Sequence, residues 1–362
     1  MWAMIVKEFR QVRRDRRTLA MMIVLPVLLL VVLGYAASFD VKTITVAAAG
    51  PQAHAVAGSL RAPFDVTRTA SGRGRSWAQN QLRDGKAEMA IVTGATRPLV
   101  LIDGSQLFSA KAALAALAQM EQRGASQPGG LAVTPTVTVL YNPGLTTSDI
   151  MIPGLCGVVL VFVGTIITSL GVVRERQTGT LEQLAVMPLR PRDVYLGKIV
   201  PYFLVAIVDL AIVLSVGIAI FGVPFRGSPA VFGLGALLFL FVTLGIGVLI
   251  SSVSQNQGQA IQLAVMTLLP QVLLSGLIFP LTSIAAGVRW IAYFLPLTYF
   301  NQISRGVMLR AEPITSLWQP FVFLALLGVI VVTGATLRFR SYLAPATREH
   351  AARKPAPAAQ RA

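Results

Sequence analysis

Six stretches of the chain are apolar for long enough to cross a hydrocarbon core, which takes roughly 20 helical residues. They are Leu19–Ala37, Ile150–Val172, Ile199–Phe221, Ala230–Ser252, Ala260–Phe279 and Pro320–Leu337. None contains Lys or Arg, and only the third contains an acid, Asp209. The stretch between the first two reads differently. Short β-type runs fall at Thr43–Ala48, Phe64–Arg68, Glu88–Thr93, Leu99–Ile102 and Thr136–Tyr141, with helical periodicity at Ala53–Leu60, Ser76–Asp84 and Leu107–Gln122. Strands alternating with helices predict a compact α/β or α+β domain over residues 38–149, large enough to fold by itself. Gly124–Gly130 makes a flexible break before its last strand. The fold class is a polytopic α-helical membrane protein: six transmembrane helices with an external α/β (α+β) domain inserted between spans 1 and 2.

The flanks complete this outline. In residues 1–18, Trp2, Ile5, Val6, Phe9 and Val12 share one helical face and Lys and Arg cover the other, the pattern of a cytoplasmic interfacial helix that turns into the first span. Ala36-Ala37-Ser38 resembles a signal-peptidase site, but the apolar run is long for a signal sequence, which favours an uncleaved anchor. Spans four and five are joined only by Val253–Gly258, so they form a tight antiparallel pair. Pro280, Pro296 and Pro313 break residues 280–319, where Trp290, Tyr293, Tyr299 and Trp318 suit short helices at the external interface. Residues 338–362, Ala/Pro/Arg-rich from Pro345, read as a disordered cytoplasmic tail.

Composition narrows the function. With 54% apolar and 13% charged residues and a mean hydropathy of +0.68, the polar surface is too small to coat a soluble enzyme. A disordered chain and a disulfide scaffold are excluded with it, since Cys156 is the single cysteine. The net charge of +16 invites a nucleic-acid reading, but its distribution explains it otherwise. Basic residues crowd the N-terminal segment (Lys7 to Arg17), the loop after the second span (Arg174 to Lys198) and the tail (Arg338 to Arg361). The short loops on the other side hold Arg226, Arg289, Arg305 and Arg310. By the positive-inside rule both termini are cytoplasmic and the excess charge faces anionic lipid, with no nucleic-acid partner.

Catalytic chemistry is missing. The two histidines, His54 and His350, fall on opposite sides of the membrane, no metal-ligand spacing occurs, and no G-x-x-x-x-G-K-[ST] loop can cradle a nucleotide. Any energy must come from a partner or an ion gradient. Asp209 lies at membrane depth, where an acid is costly; it is either an ion or substrate site or an acid bonded within a helix contact. In the loop 173–198, Thr178 can cap a short amphipathic helix, Leu181–Met187, that stops before Pro188. Such a knob is either a grip for a soluble partner or a helix resting on lipid headgroups.

Several segments, in order, resemble the membrane subunits of ABC-2 type exporters, in the drug-efflux-like branch with a large external domain between the first two spans. Lys7-Glu8-Phe9 with Arg14-Asp15-Arg16-Arg17 and Pro26 resembles the interfacial helix and first span of that family. Tyr141-Asn142-Pro143 before Pro153-Gly154-Leu155 resembles the approach to the second span, and Arg174-Glu175-Arg176 with Gly179-Thr180-Leu181-Glu182 and Pro188-Leu189 the coupling-helix loop. Gln255–Gln262, Pro270, Leu274-Ser275-Gly276 and Phe279-Pro280 resemble the fifth span. Pro296-Leu297-Thr298-Tyr299-Phe300 with Arg305-Gly306 resembles the external helices before the last span.

The resemblance implies a permease that pairs with a second copy of itself or a sister permease, and with two separate ABC ATPase subunits. ATP and Mg would be bound by those partners, and no cofactor or metal by this chain. It assigns ATPase coupling to Arg174, Glu175, Gly179, Thr180, Leu181, Glu182, Leu184, Met187 and Pro188. A substrate path would run between permease copies, with Phe162, Thr165, Thr168 and Gln271 as lining residues or as ordinary packing. The expected function is export of an amphipathic or lipophilic, drug-like substrate across a bacterial inner membrane. Two alternatives stand beside it: a gradient-driven secondary transporter using Asp209, and a membrane-anchored sensor or scaffold with an external ligand-binding domain.

Overall fold

The computed structural model describes residues 41, 43–95, 97–125, 135–177 and 191–352. The first predicted span, the interfacial helix before it, most of the 173–198 loop and the last ten residues lie outside that set.

Alternation along the strands builds the inserted domain. Strands β1 (Ile44–Ala49), β2 (Phe64–Ala70), β3 (Met89–Val92), β4 (Leu99–Asp103) and β5 (Thr136–Leu140) form one sheet in the order β2-β1-β3-β4-β5. Pairing is parallel except between β3 and β4. Successive side chains point to opposite faces, so β1 sends Ile44 and Val46 one way and Ala47 and Ala49 the other. The larger set packs with Phe64, Met89 and Ile102 against Ala110 and Ala113 of α3 (Leu107–Ala125), alongside α1 (Ala53–Ser59). The alanine-rich set packs against Ala78 and Leu82 of α2 (Arg75–Arg83), whose approach the small alanines permit. The sheet therefore sits between helices on both faces.

Eight further α-helices follow among the described residues. α4 (Thr147–Val161) runs through a π-helical segment, Phe162–Ile167, into α5 (Thr168–Gln177). Then come α6 (Pro191–Phe221), α7 (Pro229–Val253) and α8 (Gln257–Leu274), followed by α9 (Ala286–Ala292), α10 (Pro296–Arg310) and α11 (Trp318–Ala352). Among the described residues four stretches are long and apolar enough to cross a membrane: Thr147–Arg174, Pro201–Phe221, Pro229–Val253 and Trp318–Ala335.

Glycines set the closest approaches, as expected where lipid removes the hydrophobic drive between helices. A Cβ on Gly247 of α7 would lie 2.5 Å from the Gly164 carbonyl, and one on Gly157 of α4 would lie 2.7 Å from the Phe300 ring of α10. Phe300 in turn stacks on Phe239 of α7, with centroids 4.6 Å apart. The bundle core is thus centred on α4, α7 and α10.

Three sequence expectations need correction. The predicted fifth span ran to Phe279, but α8 stops at Leu274, because Gly276 takes a left-handed conformation (φ 82) and Pro280 follows. α8 itself, at 18 residues as long as the last apolar stretch, stands outside the four because Gln257, Gln259, Gln262 and Gln271 make it more polar. Residues 280–319 read from sequence as short helices at the external interface; α9 exposes Trp290, and Tyr293 and Phe294 are exposed just after it, but α10 is buried along nearly its whole length. Finally, residues 338–352 continue the last helix rather than opening a disordered tail. Their Ala, Arg and Glu content favours helix, and composition hid that behind the prolines.

The bundle has two distinguishable ends. At one, the sheet, the turn at Gly222–Ser228 and the C-terminus of α10 meet; Arg226 N–H donates to the Met308 carbonyl at 3.0 Å. At the other, Gln257 at the start of α8 donates to Gln177 at the end of α5, 3.0 Å away. Gln177, the last described residue before position 178, therefore lies at the end away from the sheet.

Candidate functional site at the junction of sheet and bundle

The densest polar chemistry among the described residues lies where the sheet meets α10. That helix ends at Arg310, and Ala311 in a left-handed conformation (φ 52) reverses the chain so that Glu312 returns beside it. Arg310 Nη2 donates to Glu312 Oε2 at 2.7 Å. Its Nη1 reaches across to the end of β4, donating to Ser105 Oγ at 3.1 Å and lying 3.6 Å from Asp103 Oδ2. Asp103 also accepts from the Ser105 hydroxyl (2.6 Å) and main-chain N–H (2.9 Å). Asp103 is 1% exposed and Arg310 7%, so this is a buried ionic clasp and not a surface pair.

The electrostatics follow from burial. Desolvation pushes the Asp103 carboxyl above its ordinary value, against the opposing pull of Arg310 and Ser105. Glu312 is raised for the same reason, with Arg310 opposing. Burial alone would depress Arg310, but the two carboxylates outweigh it and hold the guanidinium above its usual range. The clasp is one cation balanced between two acids, and each member depends on the others.

Glu88 lies next to it with no cation of its own. It accepts from Ser109 Oγ (2.7 Å) and from Thr45 N–H (2.9 Å), yet burial still raises its carboxyl above 4.5. An acid raised in this way stabilises the fold most while protonated, and that contribution fades as pH climbs through its raised value. Glu88→Gln removes the charge while Ser109, as a hydroxyl, can accept from the new amide. We expect E88Q to melt close to the wild type near about pH 4 and progressively higher than it as pH rises. A melting gap independent of pH would contradict this assignment.

On the bundle side, Arg305, one and a half turns before Arg310, donates from Nη1 to the Gly276 carbonyl (3.2 Å) and from Nη2 to the Leu277 carbonyl (3.1 Å). These are carbonyls released where α8 ends. Asn301 Nδ2 donates to Ser275 Oγ at 3.1 Å in the same break. Between these groups and the sheet lies a cavity of about 370 Å³, whose wall includes Glu88, Asn301, Arg305, Arg310 and Glu312.

The residues singled out from sequence fall elsewhere. Phe162 projects outward from the π-helical segment, half exposed, whereas Thr165, Thr168 and Gln271 are buried inside the bundle. The Thr165 hydroxyl and both polar atoms of the Gln271 side chain have no hydrogen-bond partner there. Phe162 and Thr165 lie on the π-helical segment and Thr168 opens α5, and both elements pack against α8, the helix that carries Gln271. Asp209 is partly exposed on α6, and among the described residues no hydrogen bond or ion pair reaches it. Arg174 is exposed near the end of α5, which also carries Glu175. Gly179, Thr180, Leu181, Glu182, Leu184, Met187 and Pro188 lie outside the described residues.

Arg310, Asp103 and Glu312 were not picked out as site residues by sequence reasoning, which counted Arg310 as a loop charge and used Arg305 as a loop charge and as part of the Arg305-Gly306 motif. The signal was present: two arginines five positions apart in a helix with no acid need partners when the helix is buried.

A family model described as ABC-2 family transporter protein matches residues 16–337. The chain belongs to this family. It is similar to two Escherichia coli proteins named probable multidrug ABC transporter permeases. YbhS is 29% identical, over 86% of this chain and 88% of its own length. YbhR is 29% identical, over 93% and 95%. The inner membrane transport permease YhhJ of the same organism is 32% identical over 55% of this chain and 54% of its own length. The ABC-2 assignment thus covers the inserted sheet as well as the helices, and it agrees with the resemblance drawn from the motifs.

Proposed function

We propose that this ABC-2 family protein is the membrane subunit of an ATP-driven exporter that moves an amphipathic or lipophilic compound outward, powered by separate ATPase subunits that bind the ATP and Mg. The observation that carries the reading is the nearly end-to-end family match, including relatives named multidrug permeases, on a chain without a nucleotide-binding loop. In this reading the chain crosses a bacterial inner membrane six times with both termini cytoplasmic, and the sheet domain is external. The bundle geometry is consistent with that topology, because Gln177, the last described residue before position 178, lies at the end opposite the sheet. Charge supports it too: Arg305 and Arg310 are buried, which leaves Arg226 and the carbonyl-bonded Arg289 as the basic residues of the short external loops.

The 173–198 loop then faces the cytoplasm, where two ATPase subunits engage it. A second permease copy or a sister permease completes the path, meeting this chain across apolar faces that lipid otherwise covers. Coexpression with an ABC ATPase subunit tests this: the ATPase should copurify with the wild-type chain and fail to do so when residues 178–190 are replaced by a flexible Gly/Ser linker. Retention of the ATPase by the linker variant would refute the coupling role.

Asp209 separates this reading from a gradient-driven carrier. If hydrolysis drives transport, D209N should keep ATP-dependent export within about twofold, a change under 0.5 kcal/mol. Loss of export in D209N, together with transport driven by a proton or sodium gradient alone, would favour the carrier.

A further inference from the structure

Among the described residues, Arg305 is the buried cation that no carboxylate reaches. Its guanidinium has two neutral carbonyls as partners, its Nε has none, and the one charge close enough to act on it is Arg310, of the same sign. Burial first and Arg310 second lower its pKa to about 10, so it stays protonated at neutral pH. A buried cation held only by neutral acceptors is poorly compensated.

The acids around the same cavity do not supply the missing charge. Asp84 pairs with Arg83 (3.2 Å) and Lys86 (3.1 Å), Glu312 pairs with Arg310, and Glu88 is bonded to Thr45 and Ser109 while burial drives it toward neutrality. Three donors on the wall have no partner: Arg305 Nε, Arg310 Nε and the Thr282 hydroxyl. The remaining wall is partly apolar, through Pro280, Leu281, Leu317 and Pro320. Trp290, Tyr293, Phe294 and Trp318 are exposed on the neighbouring helices, and aromatic belts of this kind mark headgroup depth.

We propose that the Arg305 cavity is an oxyanion-binding site that takes a phosphate or carboxylate group, either free or as the head of a membrane amphiphile. Arg305 supplies the uncompensated charge, and the Nε groups of Arg305 and Arg310 with the Thr282 hydroxyl supply the donors. At about 370 Å³ the space holds a headgroup and not a whole lipid, whose chains would lie along the apolar wall. The site goes beyond the transport reading, since binding there requires neither an ATPase nor turnover.

The test uses the full chain, purified in neutral detergent and stripped of lipid, with two probes. One is inorganic phosphate, followed by thermal shift against chloride at matched ionic strength. The other is phosphatidylglycerol against phosphatidylcholine, followed by native mass spectrometry. The expected result is saturable binding of at least one anionic probe, weakened tenfold or more by Arg305→Gln and less by Arg305→Lys. Binding of phosphate alone identifies a soluble anion, and binding of phosphatidylglycerol alone identifies an amphiphile head. The proposal is overturned if neither probe binds saturably, or if R305Q binds like the wild type. Arg305 also holds the carbonyls of Gly276 and Leu277, so a second variant covers the case in which R305Q does not fold. Thr282→Val then decides: a several-fold loss of affinity supports the site, and an unchanged affinity overturns it.

Discussion

Leu184→Pro should abolish ATP-driven export while the helix bundle remains folded. Leu184 lies in the middle of the short helix expected at Leu181–Met187, and proline in a helix interior costs about 3 kcal/mol, roughly a hundredfold in helix population. The segment is only about two turns long and has no spare turn to absorb a break. If ATPase closure reaches the membrane through this helix, losing it uncouples hydrolysis from transport. The bundle core, centred on Phe239, Phe300 and Gly247, does not involve the loop, so the variant should reach the membrane at normal abundance. Leu184→Met, which keeps both helix propensity and apolar character, should retain most of the activity. Export by L184P at wild-type rate, measured with abundance matched, would show that force enters elsewhere.

The second large effect is expected at the ionic clasp. Arg310→Met leaves Asp103 and Glu312 buried without a cation, and removing one partner of a buried pair typically costs about 3–5 kcal/mol. Asp103 is the more exposed to this loss: it is fully buried, and its remaining partner is Ser105. Because Arg310 joins the bundle to the sheet, the variant should melt at a clearly lower temperature and be cut faster by protease in the sheet domain. Neutralising both acids as well, in a triple variant with Asp103→Asn and Glu312→Gln, should recover much of the loss, since no unpaired charge then remains. A melting temperature unchanged in R310M would mean that the clasp does not contribute to docking.

Local pattern carried most of the architecture. Short apolar runs bounded by turn residues placed all five strands within about two residues of their observed ends, because the central strands, covered by helices on both faces, read as near-continuous apolar runs. Length and hydropathy marked the second, third, fourth and last membrane helices for the same reason: a long apolar run has few other uses.

What escaped depends on distant partners or on backbone detail. The Arg310–Ser105 bond joins positions 205 apart, so neither residue's neighbourhood announces the clasp. The end of α8 at Leu274 turns on the conformation of Gly276, and the π-helical segment at Phe162–Ile167 leaves no mark on hydrophobic periodicity. The burial of α10 was hidden by its arginines, which suggest a surface until their partners are known. The reading of 173–198 as a coupling loop rests on motif resemblance, and residues 178–190 lie outside the described residues.

Proteoliposomes offer the most direct measurement of the central claim, that this chain is a passive pathway driven by another subunit's nucleotide. The purified chain, with and without its ATPase partner, would be reconstituted and the movement of a fluorescent amphiphile followed on addition of ATP-Mg. The account predicts no hydrolysis by the chain alone, and transport only when the partner and hydrolysable ATP are both present. Amphiphile movement at the same rate without the partner, or hydrolysis by the chain alone, would contradict it.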